Sequence, residues 1–345
     1  MTLKTTWYET DSRFIPGHYQ PATLIDLALS RDIDSHRLLR GTGLFHEDIL
    51  AGQTRLSPQQ FLGLITNSRR LLDADDSSFL FGQRLLPGHY GPASHALRHA
   101  QNLHQALDTL VRQPALLSPL AAPRLVLDEK HAYLYWLDSC GATEQWRFLL
   151  EASMTSLIAM SRALSGQRLP WECSFSHAEP RYVEQYWVHL GEHTQFRRPL
   201  DFMRIPREYL AMTWPGASAT AGQVARQEAE LQIGQLGFEF SFIGCLYRYL
   251  QTHIRQAPSL ELVASAFAMS PATLKRKLHK HGTGFQQQVD LVRKHVALYL
   301  YQVKGFSNEQ VADYLKFTDA ANFRRSFKRW TGSTPNLIRQ LFSPG

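Results

Sequence analysis

The sequence is poor in cysteine and lacks both a long apolar run and any recognisable metal or catalytic fingerprint. Its three cysteines, Cys140, Cys173 and Cys245, are odd in number and far apart. That excludes a disulfide framework or a cysteine-built zinc site and fits reduced, buried thiols. Fifteen histidines are present, yet none stands in an HExxH pattern or beside a cysteine pair. No metal or other cofactor is therefore expected. No run of 18 apolar residues exists, and Met1 to Asp11 is polar and mixed in charge. Neither a transmembrane helix nor a secretory signal is expected, which predicts a cytoplasmic protein with no membrane partner. P-loop, GxSxG and dinucleotide-binding fingerprints are also missing, so no enzymatic activity is expected.

What is present is unevenly distributed. The 345 residues suffice for two or three domains. The net charge is +7, but Pro258 to Gly345 holds thirteen Lys+Arg against five Asp+Glu, a balance of +8. The rest of the chain is close to neutral. Such asymmetry assigns a polyanionic partner to the last quarter alone.

Residues 15–213 read as one α+β domain. Helices are predicted from Pro21, from Ser57 with Pro58 in the first turn, from His95 to Arg112, from Gln145 to Leu164 and from Pro180 to Gly191. Arg124–Asp128 and His131–Leu137 read as a hairpin turning at Asp128-Glu129-Lys130, with Trp171–Ser176 as a third strand and Thr194–Phe196 returning to the sheet. Pro16-Gly-His-Tyr-Gln-Pro-Ala is echoed by Pro87-Gly-His-Tyr-Gly-Pro-Ala; both precede helices, and chance accounts for the echo. The small, uncharged stretch from Trp214 opens a linker over 214–235.

Residues 236–345 read as an all-α domain containing two similar halves. In the first, Ser259 caps a helix with Leu262, Val263 and Phe267 facing inward, Ala264 allows a close crossing, and Ala268-Met269-Ser270 forms a turn. Ser270 caps a second helix with Pro271 in its first turn and Leu274 and Leu278 facing the core. In the second half, Ser307, Val311-Ala312, Leu315, Phe317 and Thr318 match Ser259, Val263-Ala264, Phe267, Met269 and Ser270. After one inserted residue, Phe323 and Phe327 match Leu274 and Leu278. The result is two helix-turn-helix motifs, at about 259–280 and 307–330, joined by a long helix from Asp290 to Val303. An amphipathic bundle with a basic surface explains one such pattern, but less readily two in tandem inside the only basic segment.

These residues resemble the DNA-binding domain of the AraC/XylS family of bacterial transcription regulators. Phe317-Thr-Asp, Asn322-Phe-Arg-Arg-Ser-Phe-Lys-Arg-Trp-Thr-Gly and Thr334-Pro carry the family signature, although Lys316 replaces the usual glycine of the turn. The resemblance covers about 236–342. Leu85–Ala96, Asn102–Leu107 and Phe175–Pro180 are similar to the N-terminal effector domain of the branch that includes ornithine-utilisation regulators.

The resemblance implies a sequence-specific regulator, activation being the commoner outcome, that docks its two reading helices in adjacent major grooves of double-stranded DNA. It also implies RNA polymerase, an unidentified small-molecule effector and a second copy of the chain as partners. Ala272, Thr273, Lys275 and Arg276 of the first reading helix, and Ala320, Ala321, Asn322, Arg324 and Arg325 of the second, then face DNA. Arg suits guanine and Asn adenine, while Ala reaches only thymine methyls. Lys277, Lys280, Lys328 and Arg329 read as phosphate contacts or as a solvated basic rim; Phe327 and Trp330 read as core. Tyr133, Tyr135, Trp136, Trp146, Trp171 and Trp187, with Arg147, Arg197 and Arg198, offer aromatic and cationic surface for an effector, though an aromatic stripe serves a core as readily. An N-terminal half that only dimerises or binds proteins, and a DNA binder without sequence preference, remain alternatives.

Overall fold

The structure, a computed structural model, describes residues 6–342. Residues 343–345 of the expected C-terminal domain and residues 1–5 of the polar N-terminal segment lie outside the described residues. The order is the expected one: a mixed α+β portion, then helices alone.

Two short antiparallel strands, β1 (Ile15–Pro16) and β2 (Arg55–Leu56), bracket α1 (Gln20–Leu29), α2 (Ser35–Leu39) and α3 (His46–Leu50). The next helix, α4 (Pro58–Leu72), starts where the sequence places it. Ser57 Oγ accepts from the Gln60 N–H at 3.2 Å, and Gln60 Oε1 accepts from the Ser57 N–H at 3.1 Å, a reciprocal capping box. After α5 (Ser77–Leu85), the single helix expected from His95 to Arg112 is two, α6 (Pro92–Arg98) and α7 (Leu103–Arg112). The break is chemical: Asn102 accepts from the Gln105 N–H at 3.0 Å and starts α7 afresh. The two Pro-Gly-His-Tyr echoes lie side by side, with the Tyr19 and Tyr90 rings 5.5 Å apart.

Following α8 (Pro114–Leu117), the hairpin of β3 (Ala121–Leu127) and β4 (His131–Asp138) forms in the expected place. Helix α9 (Trp146–Ser165), β5 (Glu172–Ser174), α10 (Val183–His189) and β6 (Phe202–Pro206) complete this part. The four-stranded antiparallel sheet has the order β3-β4-β6-β5. Of its two inner strands, β6 is not among those expected from the sequence. It is short, interrupted by Arg204 and ended by Pro206, and its partner β4 lies some seventy residues upstream. The return expected at Thr194–Phe196 is only one bridge, Gln195 to Ser174.

Strand β4 is buried on both faces. Ala132, Leu134 and Trp136 join the N-terminal core, whereas Tyr133, Tyr135 and Leu137 join the core of the C-terminal helices. Alternation along a strand sends successive side chains to opposite faces, so one strand serves two cores.

The stretch expected as a linker is mostly helix. Trp214 is buried and its backbone N–H donates to the Gln101 carbonyl at 2.8 Å. Ser218 then caps α11 (Ala219–Leu236) by accepting from the Ala221 N–H at 3.2 Å. Gly222, Ala225, Ala229 and Ile233 form a small, buried stripe, which lets α11 lie close against α6 and the turn after it. The small residues that suggested flexibility are there for close packing. A Cβ on Gly222 would stand 2.9 Å from the His99 carbonyl oxygen.

The C-terminal part comprises α12 (Phe242–His253), α13 (Leu260–Ala266), α14 (Pro271–Lys280), α15 (Phe285–Gln302), α16 (Asn308–Tyr314), α17 (Ala320–Thr331) and α18 (Pro335–Phe342). Val263, Ala264, Leu274, Leu278, Val311, Ala312, Phe323 and Phe327 are buried as expected, but Leu262 is 61% exposed and does not face inward.

Gly222→Leu is expected to push α11 off the turn after α6 and destabilise the fold by about 1–3 kcal/mol, the usual cost of overpacking, measured by urea unfolding. A flexible linker would tolerate the change.

Candidate nucleic-acid interface

Two pairs of short helices carry the basic surface, and their turns are built alike. In the first, the Ala268 N–H donates to the Ser265 carbonyl at 3.0 Å and the Met269 N–H to the Ala264 carbonyl at 3.0 Å. In the second, the Lys316 N–H donates to Asp313 at 3.0 Å and the Phe317 N–H to Ala312 at 2.9 Å. Both are Schellman turns, which need a left-handed residue just past the helix. Ala268 and Lys316 occupy that position, at φ 54° and 58°. Met269 and Phe317 follow and pack on the core, which fixes the crossing of each helix pair.

The caps of the second helices differ. Ser270 accepts from the Thr273 N–H at 3.1 Å, as expected. In the second unit the cap is Asp319, accepting from the Asn322 N–H at 2.7 Å, and not Thr318. The inserted residue thus lies ahead of the cap, and Thr318 instead accepts from Asn322 Nδ2 at 2.8 Å.

On α14, Ala272, Lys275 and Arg276 are exposed and Thr273 is half-buried, its hydroxyl 2.9 Å from that of Ser270. On α17, Ala321, Arg324, Arg325, Lys328 and Arg329 are exposed, and Ala320 and Asn322 are half-buried. Arg276, Arg324 and Lys328 make no ion pair among the described residues. The others are not all free. Asn322 also donates to Asp319 Oδ2 at 2.8 Å and accepts from Arg325. Arg329 pairs with Asp290 of α15 at 3.1 Å. Phe327 is core, whereas Trp330 is half-buried against it.

Lys277 and Lys280 differ from the expectation of a phosphate-facing pair. Glu9 pairs with both, at 3.0 Å to Lys280, and Asp11 pairs with Lys280 at 2.6 Å. Burial alone would raise the Glu9 pKa, but hydrogen bonds from the two lysines outweigh it and pull the carboxyl down to about 2. The Thr10 N–H donates to His281 Nε2 at 3.2 Å, while His281 Nδ1 faces the Lys277 carbonyl at 2.8 Å. The ring is therefore neutral, as burial also favours. The Asp138–Ala142 turn presses on the same place: a Cβ on Gly141 would stand 2.5 Å from the His281 carbonyl oxygen. No local pattern marks Glu9 or Asp11 as partners of residues some 270 positions away.

The aromatic and cationic candidates of the N-terminal part do not converge. Tyr133 and Tyr135 face the C-terminal helices, Trp136 and Trp171 lie in the N-terminal core, Trp146 packs at its edge, and Trp187 is 46% exposed. Arg147 pairs with Glu151 at 3.0 Å, Arg198 bonds Gln195 at 2.7 Å, and Arg197 makes no ion pair among the described residues.

Lys316→Gly should relieve the left-handed backbone of the second turn. Net of the freer unfolded chain, a gain of roughly 0.5–1 kcal/mol is expected in chemical denaturation; a loss would show that the Lys316 side chain itself holds the turn.

Comparison with known proteins places this geometry. Residues 33–214 match the family described as the arabinose-binding domain of AraC transcription regulators, N-terminal, and residues 263–340 match a helix-turn-helix domain family. The chain is 26% identical over 330 residues to the ornithine utilization regulator of Pseudomonas aeruginosa, covering 95% of this chain and 97% of that protein. The HTH-type transcriptional regulator VqsM of the same organism is 33% identical over 87 residues, 25% of this chain and 27% of that one. Among solved structures, the transcriptional regulator CdpR from Pseudomonas aeruginosa aligns over 98% of this chain and 100% of its own, at a TM-score of 0.42 and 20% identity. These relatives are transcription regulators, not enzymes. With one match spanning more than half of its length and the other running from within the first helix-turn-helix unit through the second, the chain belongs to the AraC family of transcription regulators.

Proposed function

We propose that this protein is a sequence-specific transcription regulator, an activator, whose N-terminal part binds a small-molecule effector and thereby controls how α14 and α17 engage DNA. The observation that carries this reading is the pair of alike, separately capped units whose second helices expose Arg276, Arg324 and Arg325. Helix α15 spaces the units. Its 18 residues span about 27 Å at 1.5 Å per residue, of the order of the ~34 Å between successive major grooves on one DNA face. Ala272, Thr273, Lys275 and Arg276 then lie toward one groove and Ala320, Ala321, Asn322, Arg324 and Arg325 toward the next, with Lys328 and Arg329 at phosphates. Lys280 joins them only when it leaves Glu9 and Asp11.

The decisive experiment selects bound fragments from a promoter library, with and without a small-molecule extract of cells. A two-box motif enriched only with extract supports effector control. The same motif without extract favours an N-terminal part that acts through dimerisation, RNA polymerase or other protein partners; no motif at all removes the reader helices.

Arg276→Ala or Arg325→Ala is expected to weaken the selected site by about 1–3 kcal/mol while leaving random DNA nearly unchanged. Lys328→Ala should weaken both alike and lower the salt slope by about one. Equal losses on both DNAs for the arginines would remove them as readers.

The double variant Glu9→Gln, Asp11→Asn frees Lys277 and Lys280. It should bind random DNA more tightly at low salt, with a slope steeper by about one to two. Because the Glu9 carboxyl sits below its ordinary value of 4.5, the ion pair's stabilisation is complete above about pH 4.5 and fades as pH falls through about 2. The difference in stability between wild type and variant should shrink over that window.

A further inference from the structure

Between the sheet and the long helix lies a cavity of about 180 Å³ whose walls come from both parts of the chain. Tyr133, Tyr135 and Phe202 line it from β4 and β6, and His295, Leu298 and Val303 from α15 and its end. Among the described residues, no lysine, arginine, aspartate or glutamate lines it. An apolar protein cavity of about 150 Å³ is known to take benzene, so this one has room for a single substituted ring.

One lining residue carries a polar atom that is unexplained. His295 is 7% exposed, and its Nε2 has no hydrogen-bond partner among the described residues. The rest of the ring is fixed: Nδ1 is 2.9 Å from the Tyr247 hydroxyl, which is 3.2 Å from the Tyr135 hydroxyl, and the Tyr135 ring meets the imidazole edge-on at 4.9 Å. Holding a histidine in place while leaving one nitrogen buried and unpaired is unfavourable unless something else satisfies it. Burial also keeps the ring neutral, so Nε2 offers one uncharged hydrogen bond. At the far rim, Gln302 Nε2 donates to the Tyr133 hydroxyl at 2.8 Å and to Asp128 Oδ2 at 3.2 Å, which ties the helix to the hairpin turn.

We propose that this cavity is the effector site, and that it takes a compact, uncharged, mostly apolar molecule of about one ring whose single hydrogen-bonding group meets His295 Nε2. The proposal rests on the effector-controlled reading above and gives it a place and a ligand class. A zwitterion such as ornithine would bring a carboxylate that no cation in the lining can pair, and burying unpaired charge is prohibitive. An occupant here touches the sheet and α15 at once, so its binding is coupled to how the DNA-binding helices sit on the N-terminal part.

The test uses the full chain with 4-bromophenol as probe and bromobenzene, 4-bromobenzoate and ornithine as comparisons. The expected result is a saturable rise in Tm with 4-bromophenol, about tenfold weaker binding of bromobenzene, which lacks the hydrogen bond, and no shift with the two charged compounds. Leu298→Phe and Val303→Phe, which fill the space from different positions, should each abolish the shift, and bromine anomalous scattering from crystals should place the probe between Tyr135 and Leu298. A variant counts only if its own melting is cooperative. Absence of a shift in the wild type, a shift that survives both variants, or equal binding of the charged compounds overturns the proposal. The two readings fail separately. An extract response in DNA binding that persists in both cavity-filled variants removes this site and leaves effector control standing. Probe binding at the cavity with DNA binding indifferent to every extract removes effector control, and with it the assignment of this cavity as the effector site.

Discussion

Everything in this molecule turns on β4 being shared. A strand with one wet face would alternate apolar and polar residues; Ala132 to Leu137 are buried without a break. Its second face, with Phe202 of β6, packs against α12 and α15, and Arg124 of β3 extends the contact by lying 5.7 Å from the centre of the Phe240 ring and 5.6 Å from that of Tyr247. Burying an aromatic or leucine side chain contributes about 1.5–3 kcal/mol at most. Four such side chains make the docked arrangement the default for the two halves, unlike the looser contacts that usually join domains.

Docking through one strand lets distant parts of the chain meet. The segment before β1 crosses to the DNA-binding part, where Tyr8 pairs with the backbone of Phe240 and Phe242 and the Trp7 ring lies 5.6 Å from Phe242 and 5.5 Å from Phe267. That places Glu9 and Asp11 against the end of α14. In the proposed function the acidic pair and a DNA phosphate would compete for the same two lysines, so a DNA-bound arrangement that uses Lys280 would have to give up this contact. A ligand alters that competition only through a difference in its affinity for the docked and released arrangements. The cavity between β4 and α15 is where such a difference can arise, because its walls separate if the halves do.

Local chemistry was legible in the sequence. Ser57, Ser259, Ser270 and Ser307 cap the helices they were expected to cap, because a cap depends on residues within one turn of itself. The tandem helix-turn-helix pattern was readable for the same reason, together with the concentration of charge. The misreadings share a non-local cause. Thr318 and Asp319 are both competent caps, and the choice between them depends on how α17 meets the core. Leu262 fits the apolar spacing of α13 but is left exposed among the described residues. Gly222, Ala225 and Ala229 read as a flexible linker because their smallness matters only once α6 is opposite. Strand β6 is defined by β4, and the pairing of Glu9 with Lys277 by the whole fold. His295 carried a faint signal, a polar residue among Val292, Val296 and Leu298 on a buried stripe. Sequence alone did not say what lay across from it.

The hydrogen bonds of Asn322 bear on how the second unit could read a base. To hold adenine with two bonds, its amide must leave Thr318, Asp319 and Arg325. Each exposed bond is worth roughly 0.5–1.5 kcal/mol, so the loss is comparable to the 1–3 kcal/mol that a bidentate contact returns. Arg325 stands differently. Held by Asn322 Oδ1, its flexible side chain is already partly ordered, and less entropy remains to be lost when it meets guanine. In the proposed complex Asn322 therefore serves better as a brace than as a reader, with Arg325 pre-positioned by it. Arg324, which makes no ion pair among the described residues, is left to adapt to whatever base it meets.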